Sequence, residues 1–139
     1  MKLLTSLFIA MMFVLTGADG TSEAVTVTGK LIDTKCYGMN HMNVDNEHVV
    51  PMEDGTMGKL PNCATACAQM GIPVGILEGG EADGQVYILV TPAPQLAEHA
   101  AKDARVVGDL AYPGGIIPTK LEVKNADGEW EEVHLATMM

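Results

Sequence analysis

Both phenylalanines of this 139-residue chain, Phe8 and Phe13, lie within its first fifteen positions, so beyond them the only aromatics are Tyr37, Tyr87, Tyr112 and Trp130. A core here has to be assembled from Val, Ile, Leu and Ala, and where these alternate with polar residues they mark strands. Residues 23–33 alternate in this way through Val25, Val27, Gly29 and Leu31. Two more strands, 74–77 and 85–91, flank a hairpin loop from Gly79 to Gly84, and a further three occupy 105–112, 116–124 and 129–136. Inward-facing positions expected from the alternation are Val27, Leu31, Ile76, Val86, Ile88, Val90, Val107, Leu121, Val123, Val133 and Leu135.

Two short helices complete the pattern. One covers 63–70, opened by Asn62 as N-cap and stopped by Gly71 and Pro73. The other covers 92–103, with Leu96, Ala97, Ala100 and Ala101 as its apolar stripe. Residues 34–60 show no period and read as one long loop rich in Met and His, of a length that is uncommon in small domains and often functional. A helix between the third and fourth of five antiparallel strands is the OB-fold order. The expected fold is therefore mainly β: a small OB-fold-like antiparallel β-barrel with two short helices. The alternative is a small α+β sheet with one helix packed across it.

The N-terminus carries an address. Lys2 precedes a nearly unbroken apolar run from residue 3 to 15, and Thr16-Gly17-Ala18-Asp19-Gly20 supplies the small residues a signal peptidase requires. The run is too short for a membrane span, and no Cys stands at the cleavage site to take a lipid, so a stable membrane anchor is not expected. Residues 1–20 read as a removable signal peptide, and 21–139 as a single domain working in the periplasm or as a secreted protein. Net charge is −10, and loss of residues 1–20 removes only Lys2 and Asp19 from the balance. Such a field repels nucleic acid and anionic lipid. The partner is then an unidentified protein or small molecule.

Chemistry concentrates between residues 36 and 67. All three cysteines are there, Cys63 and Cys67 four apart on one helix and Cys36 at the end of the first strand. Around Cys36 lie Met39, His41, Met42, His48, Met52 and Met57. Thiolates, thioethers and imidazoles select Cu(I) and also hold Zn, so the candidate metal ligands are Cys36, Cys63, Cys67, His41, Met39 and Met42. Two other chemistries fit the same residues. Cys36 bridged to Cys63 or Cys67 would fix the loop and leave one free thiol, as the odd count requires. Thiol–disulfide exchange would use Cys63 as the attacking thiolate, although no Cys-x-x-Cys is present. No hydrolase, zinc-protease or phosphate-loop motif occurs, so the chain reads as a binding module and not an enzyme, thiol exchange excepted. Asn43-Val-Asp45-Asn-Glu47 alternates oxygen ligands but lacks the glycine and distal glutamate of a calcium loop. His99 and His134 are expected at the surface.

The segments Gly29-x-x-x-Asp33-x-x-Cys36-Tyr37 and Cys63-Ala64-x-x-Cys67-x-x-x-Gly71-Ile72-Pro73 resemble a group of largely uncharacterised small secreted bacterial proteins. The resemblance covers most of residues 21–139 and implies an exported β-barrel-like domain with a three-cysteine cluster and no named activity. The chain departs from the group in its acidic, Met-rich insert at 41–59 and in Asn62, where a basic residue is more usual. The exported protein should begin at Asp19 or Thr21, and N-terminal sequencing that returned an intact Met1 would refute the signal peptide.

Overall fold

The structure, a computed structural model, describes residues 24–136. The expected signal segment at 1–20 lies outside the described residues. Strand β1 (Ala24–Asp33) leads without a loop into helix α1 (Thr34–Met39), followed by a hairpin of β2 (His48–Pro51) and β3 (Met57–Leu60). Helix α2 (Cys63–Gln69) precedes β4 (Val74–Glu78) and β5 (Val86–Leu89). A 3-10 helix (Ala93–His99) then leads to β6 (Asp103–Tyr112), β7 (Gly115–Lys124) and β8 (Trp130–Val133).

The protein is mainly β. Six strands form one sheet in the order β5-β4-β1-β6-β7-β8, with antiparallel neighbours, and β5 also pairs with β7 in parallel. The small β2–β3 sheet is separate. β1 is shared: its first part, Ala24 to Lys30, pairs with β6, and its second, Gly29 to Asp33, pairs with β4. The handover falls at Gly29, where a Cβ would collide with the Leu77 carbonyl, so this strand position requires glycine.

The core is aliphatic, as the scarcity of aromatics demands. Val27, Leu31, Ile76, Leu89, Val106, Ile116, Leu121 and Val123 are buried, with Leu96 and Ala97 of the 3-10 helix and Ala68 of α2 packed onto them. A smaller cluster of Ile32, Tyr37 and Leu77, with Val86 partly buried against it, occupies the other side of β1 and β4. Two strands depart from the expected facing. On β6 the buried residue is Val106 rather than Val107, and on β5 it is Leu89 rather than Val86, Ile88 or Val90, the last of which is exposed. Adjacent apolar residues satisfy either facing of a two-residue period, and pairing of β6 with β1 chooses between them.

The other differences lie between residues 34 and 60 and near 92. The expected long loop contains α1 and the β2–β3 hairpin, whose turn is closed by Met52 N–H to the Thr56 carbonyl (2.8 Å) around Gly55 at φ 82°. Its strands are four residues each, with Met57 and Leu60 exposed and His48 buried, too short and irregular to print an alternation. The expected helix at 92–103 is a shorter 3-10 helix, so three helices stand where two were expected. Among the described residues, no helix is long and apolar enough to cross a membrane.

Leu121→Ala should lower the unfolding free energy by about 2–5 kcal/mol in a urea titration, because its fully buried side chain leaves a cavity. Ile117→Ala, at a position 46% exposed, should shift it by under about 0.5 kcal/mol.

Candidate metal centre

Asp33 ends β1 and caps α1. Its backbone is extended and its Oδ1 accepts the Lys35 N–H (2.9 Å), an arrangement of short acidic residues at helix starts. Capping fixes the carboxylate and turns its other oxygen, Oδ2, inward. Cys36 follows three residues later in the same short helix and is buried beside it.

His48 at the start of β2 and Cys63 at the start of α2 make the second pair. Asn43, fully buried, donates to the carbonyls of Cys36 (3.1 Å) and Val49 (3.3 Å) and accepts the Val49 N–H (2.9 Å). Asn46 holds the start of α2: its carbonyl accepts the Cys63 N–H (2.8 Å) and its Oδ1 accepts the Thr65 N–H (3.0 Å). Between these two clamps sits His48, with no exposed surface. Asn62 occupies the N-cap position in a left-handed conformation at φ 57° and makes no side-chain cap, so the expected cap comes instead from Asn46, sixteen residues earlier.

The four side chains converge. One ligand atom each from Asp33, Cys36, His48 and Cys63 lies within 4.8 Å of every other. Cys36 Sγ and Cys63 Sγ are 3.8 Å apart, and His48 Nδ1 is 3.8 Å from Asp33 Oδ2. The other ring nitrogen of His48, Nε2, is 2.7 Å from the Asp45 carbonyl. A carbonyl only accepts, so Nε2 donates to it, and Nδ1 is the ring atom left facing the carboxylate. Asp33 Oδ2 and His48 Nδ1 are both buried without a hydrogen-bond partner. Two polar atoms thus face each other out of water, an arrangement that costs free energy unless a proton or a cation joins them. Among the described residues the one salt-bridge partner of Asp33 is His48 itself, with no lysine or arginine beside it.

Cys67 packs with Cys36 and Val50 in the same small cluster, against which Cys63 and Ile72 are partly buried. Burial, followed by the Asp33 carboxylate, pushes its thiol up to about 11. The same two causes, in that order, push the Cys36 thiol well above the usual range, with Cys63 adding to them. These thiols keep their protons unless something replaces them.

The three expected cysteines are therefore gathered at one place, while the other expected ligands point elsewhere. His41 stacks on Tyr37 with ring centroids 4.7 Å apart, and Met39 and Met42 are exposed. Neither His41 nor Cys67 belongs to the four-residue group. All three cysteines are free thiols, and 3.8 Å is a contact, not the ~2.05 Å of a bond, so no bridge from Cys36 to Cys63 or Cys67 is present. Asp33 and His48 are the members that sequence reading did not select as ligands. The Asp33-x-x-Cys36 spacing, which puts both on one side of a helical turn, was the available signal for the first. Nothing local distinguished His48 from His41. His99, expected at the surface, is half-buried with an unpartnered Nδ1, and burial lowers its pKa.

Asn46→Ala should cost about 1 kcal/mol of stability in denaturant unfolding, the usual loss of a helix cap, while Asn62→Gly should cost nothing, since glycine suits the left-handed backbone there. Comparison of the chain with known protein families, with curated proteins and with solved structures finds no match.

Proposed function

We propose that the protein is an exported binding module that holds one transition-metal ion, Zn²⁺ in preference to copper, between Asp33, Cys36, His48 and Cys63. The observation that carries this reading is the pair of buried, unpartnered polar atoms, Asp33 Oδ2 and His48 Nδ1, turned toward two thiols. A cation satisfies both at once, taking the place of the thiol protons that otherwise face Asp33.

Geometry and donor type favour zinc. Two thiolates on a tetrahedral ion with bonds of ~2.3 Å stand about 3.8 Å apart. Cys36 Sγ and Cys63 Sγ are already at 3.8 Å. One carboxylate, one imidazole and two thiolates form a mixed, borderline set suited to Zn²⁺, whereas Cu(I) is drawn to wholly soft sets. The thioethers that would have supplied such a set, Met39 and Met42, are in solvent. Four protein ligands also leave no position for a reactive water, which supports binding over catalysis. The acidic surface raises the local concentration of cations.

The scaffold reading rests on the same footing. Pairing runs β1–β4–β5–β7–β6 and back to β1, with the 3-10 helix between β5 and β6. That circuit supports an OB-type five-stranded barrel with β8 added at its edge. Export, and kinship with the small secreted proteins that share the three-cysteine pattern, belong to the same proposal.

Reduced protein lacking residues 1–20 should retain one Zn²⁺ per chain through gel filtration, and its melting temperature should rise with added zinc. His48→Ala and Cys36→Ser should each weaken binding by more than the roughly 10–100-fold typical of losing an outer-sphere partner. Met39→Leu with Met42→Leu should change nothing. A protein that stays metal-free in excess zinc refutes the reading.

A further inference from the structure

The three thiols are not equivalent. Cys36 and Cys67 are buried, while Cys63, in the first turn of α2, is only half-buried. Cys36 Sγ lies 3.8 Å from the accessible Cys63 Sγ, on a different element. Cys67 shares a helix with Cys63, four residues along, so a bond between those two would have to span a rigid turn near the outer limit of disulfide geometry.

We propose that Cys63 and Cys36 form a dithiol site that reacts with small disulfides and, on oxidation, gives up the metal. The exchange itself does not depend on the metal reading; its consequence for the ion does. In the first step the Cys63 thiolate attacks one sulfur of a disulfide R–S–S–R, forming Cys63–S–S–R and releasing one RS⁻. In the second, Cys36 loses its proton to solvent and attacks the Cys63 sulfur, forming Cys36–S–S–Cys63 and releasing the second RS⁻. The two cysteines lose two electrons and two protons, and the small disulfide becomes two thiols. Closing the sulfurs from 3.8 Å to ~2.05 Å asks for a shift of about 1.8 Å. Both thiolate ligands are consumed together, leaving Asp33 and His48, a remnant too small for a structural zinc site. Cys67 stays reduced.

The test uses oxidised glutathione as the disulfide, on the protein lacking residues 1–20, both metal-free and zinc-loaded. Trypsin cuts after Lys35, Lys59 and Lys102, placing Cys36 on one peptide and Cys63 with Cys67 on the next, and fragmentation within Ala64-Thr65-Ala66 separates the last two. The metal-free protein should lose two hydrogens in mass, with Cys36 joined to Cys63 and one thiol still titratable. Cys67→Ser should form the same bond, and Cys36→Ser should stall as a stable glutathione adduct on Cys63. Zinc-loaded protein should release its ion in step with bond formation, read with a chromogenic chelator. A glutathione adduct that persists in the unaltered protein, a bond through Cys67, or three unreacted thiols overturns the proposal. Correct bonding in metal-free protein that never binds zinc would overturn the metal reading and the release step, while the exchange itself would stand.

Discussion

The burial of Asp33 Oδ2 against His48 Nδ1 is the interaction on which the candidate centre turns. Neither atom has a hydrogen-bond partner, neither meets water, and each is held by a bond on its far side. Asp33 Oδ1 is occupied by the α1 cap and His48 Nε2 by the Asp45 carbonyl, so neither side chain can rotate away to find relief without losing a bond it already makes. A buried polar pair with neither atom hydrogen-bonded is costly, and the cost falls where two thiols also converge. A cation entering this place is stabilised by exchanging one unsatisfied arrangement for a satisfied one.

The segment that delivers His48 is held by side-chain amides as well as by apolar burial. Asn43 ties the Cys36 carbonyl to the backbone of Val49, and Asn46 ties the insert to the first turn of α2. A salt bridge from Lys30 to Asp45 (2.8 Å) and one from Lys59 to Glu47 (2.9 Å) add contacts at its exposed rim, each of small worth in water. A segment without hydrophobic period can thus be well placed, because local side-chain-to-backbone bonds replace the regular ladder. The aliphatic sheet supplies the fixed reference: β1, packed on both faces by Leu31 and Ile32, ends at Asp33.

The methionines of this segment lie at the surface. Met39, Met42, Met52, Met57 and Met70 are all exposed, none filling the core as methionine commonly does. Four of them crowd near Cys36 in the sequence. Among the described residues, though, the group that meets the thiols consists of a carboxylate and an imidazole instead.

From the sequence alone came the mainly β character, the strand positions, the helix at Cys63 and the gathering of three cysteines, because period, punctuation and helical spacing are local properties. The facing of β5 and β6 was not local: Val106-Val107 and Ile88-Leu89 fit either side, and only the neighbouring strands decide. The hairpin at 48–60 carries no readable period because its strands are short and expose Met57 and Leu60 while burying His48. The candidate group was decided by tertiary structure. Asp33 and His48 are fifteen residues apart, and Cys63 a further fifteen. What joins them is a chain of hydrogen bonds through Asn43 and Asn46 that no pattern in residue order encodes, since each of these amides meets a backbone group of the kind that every residue carries.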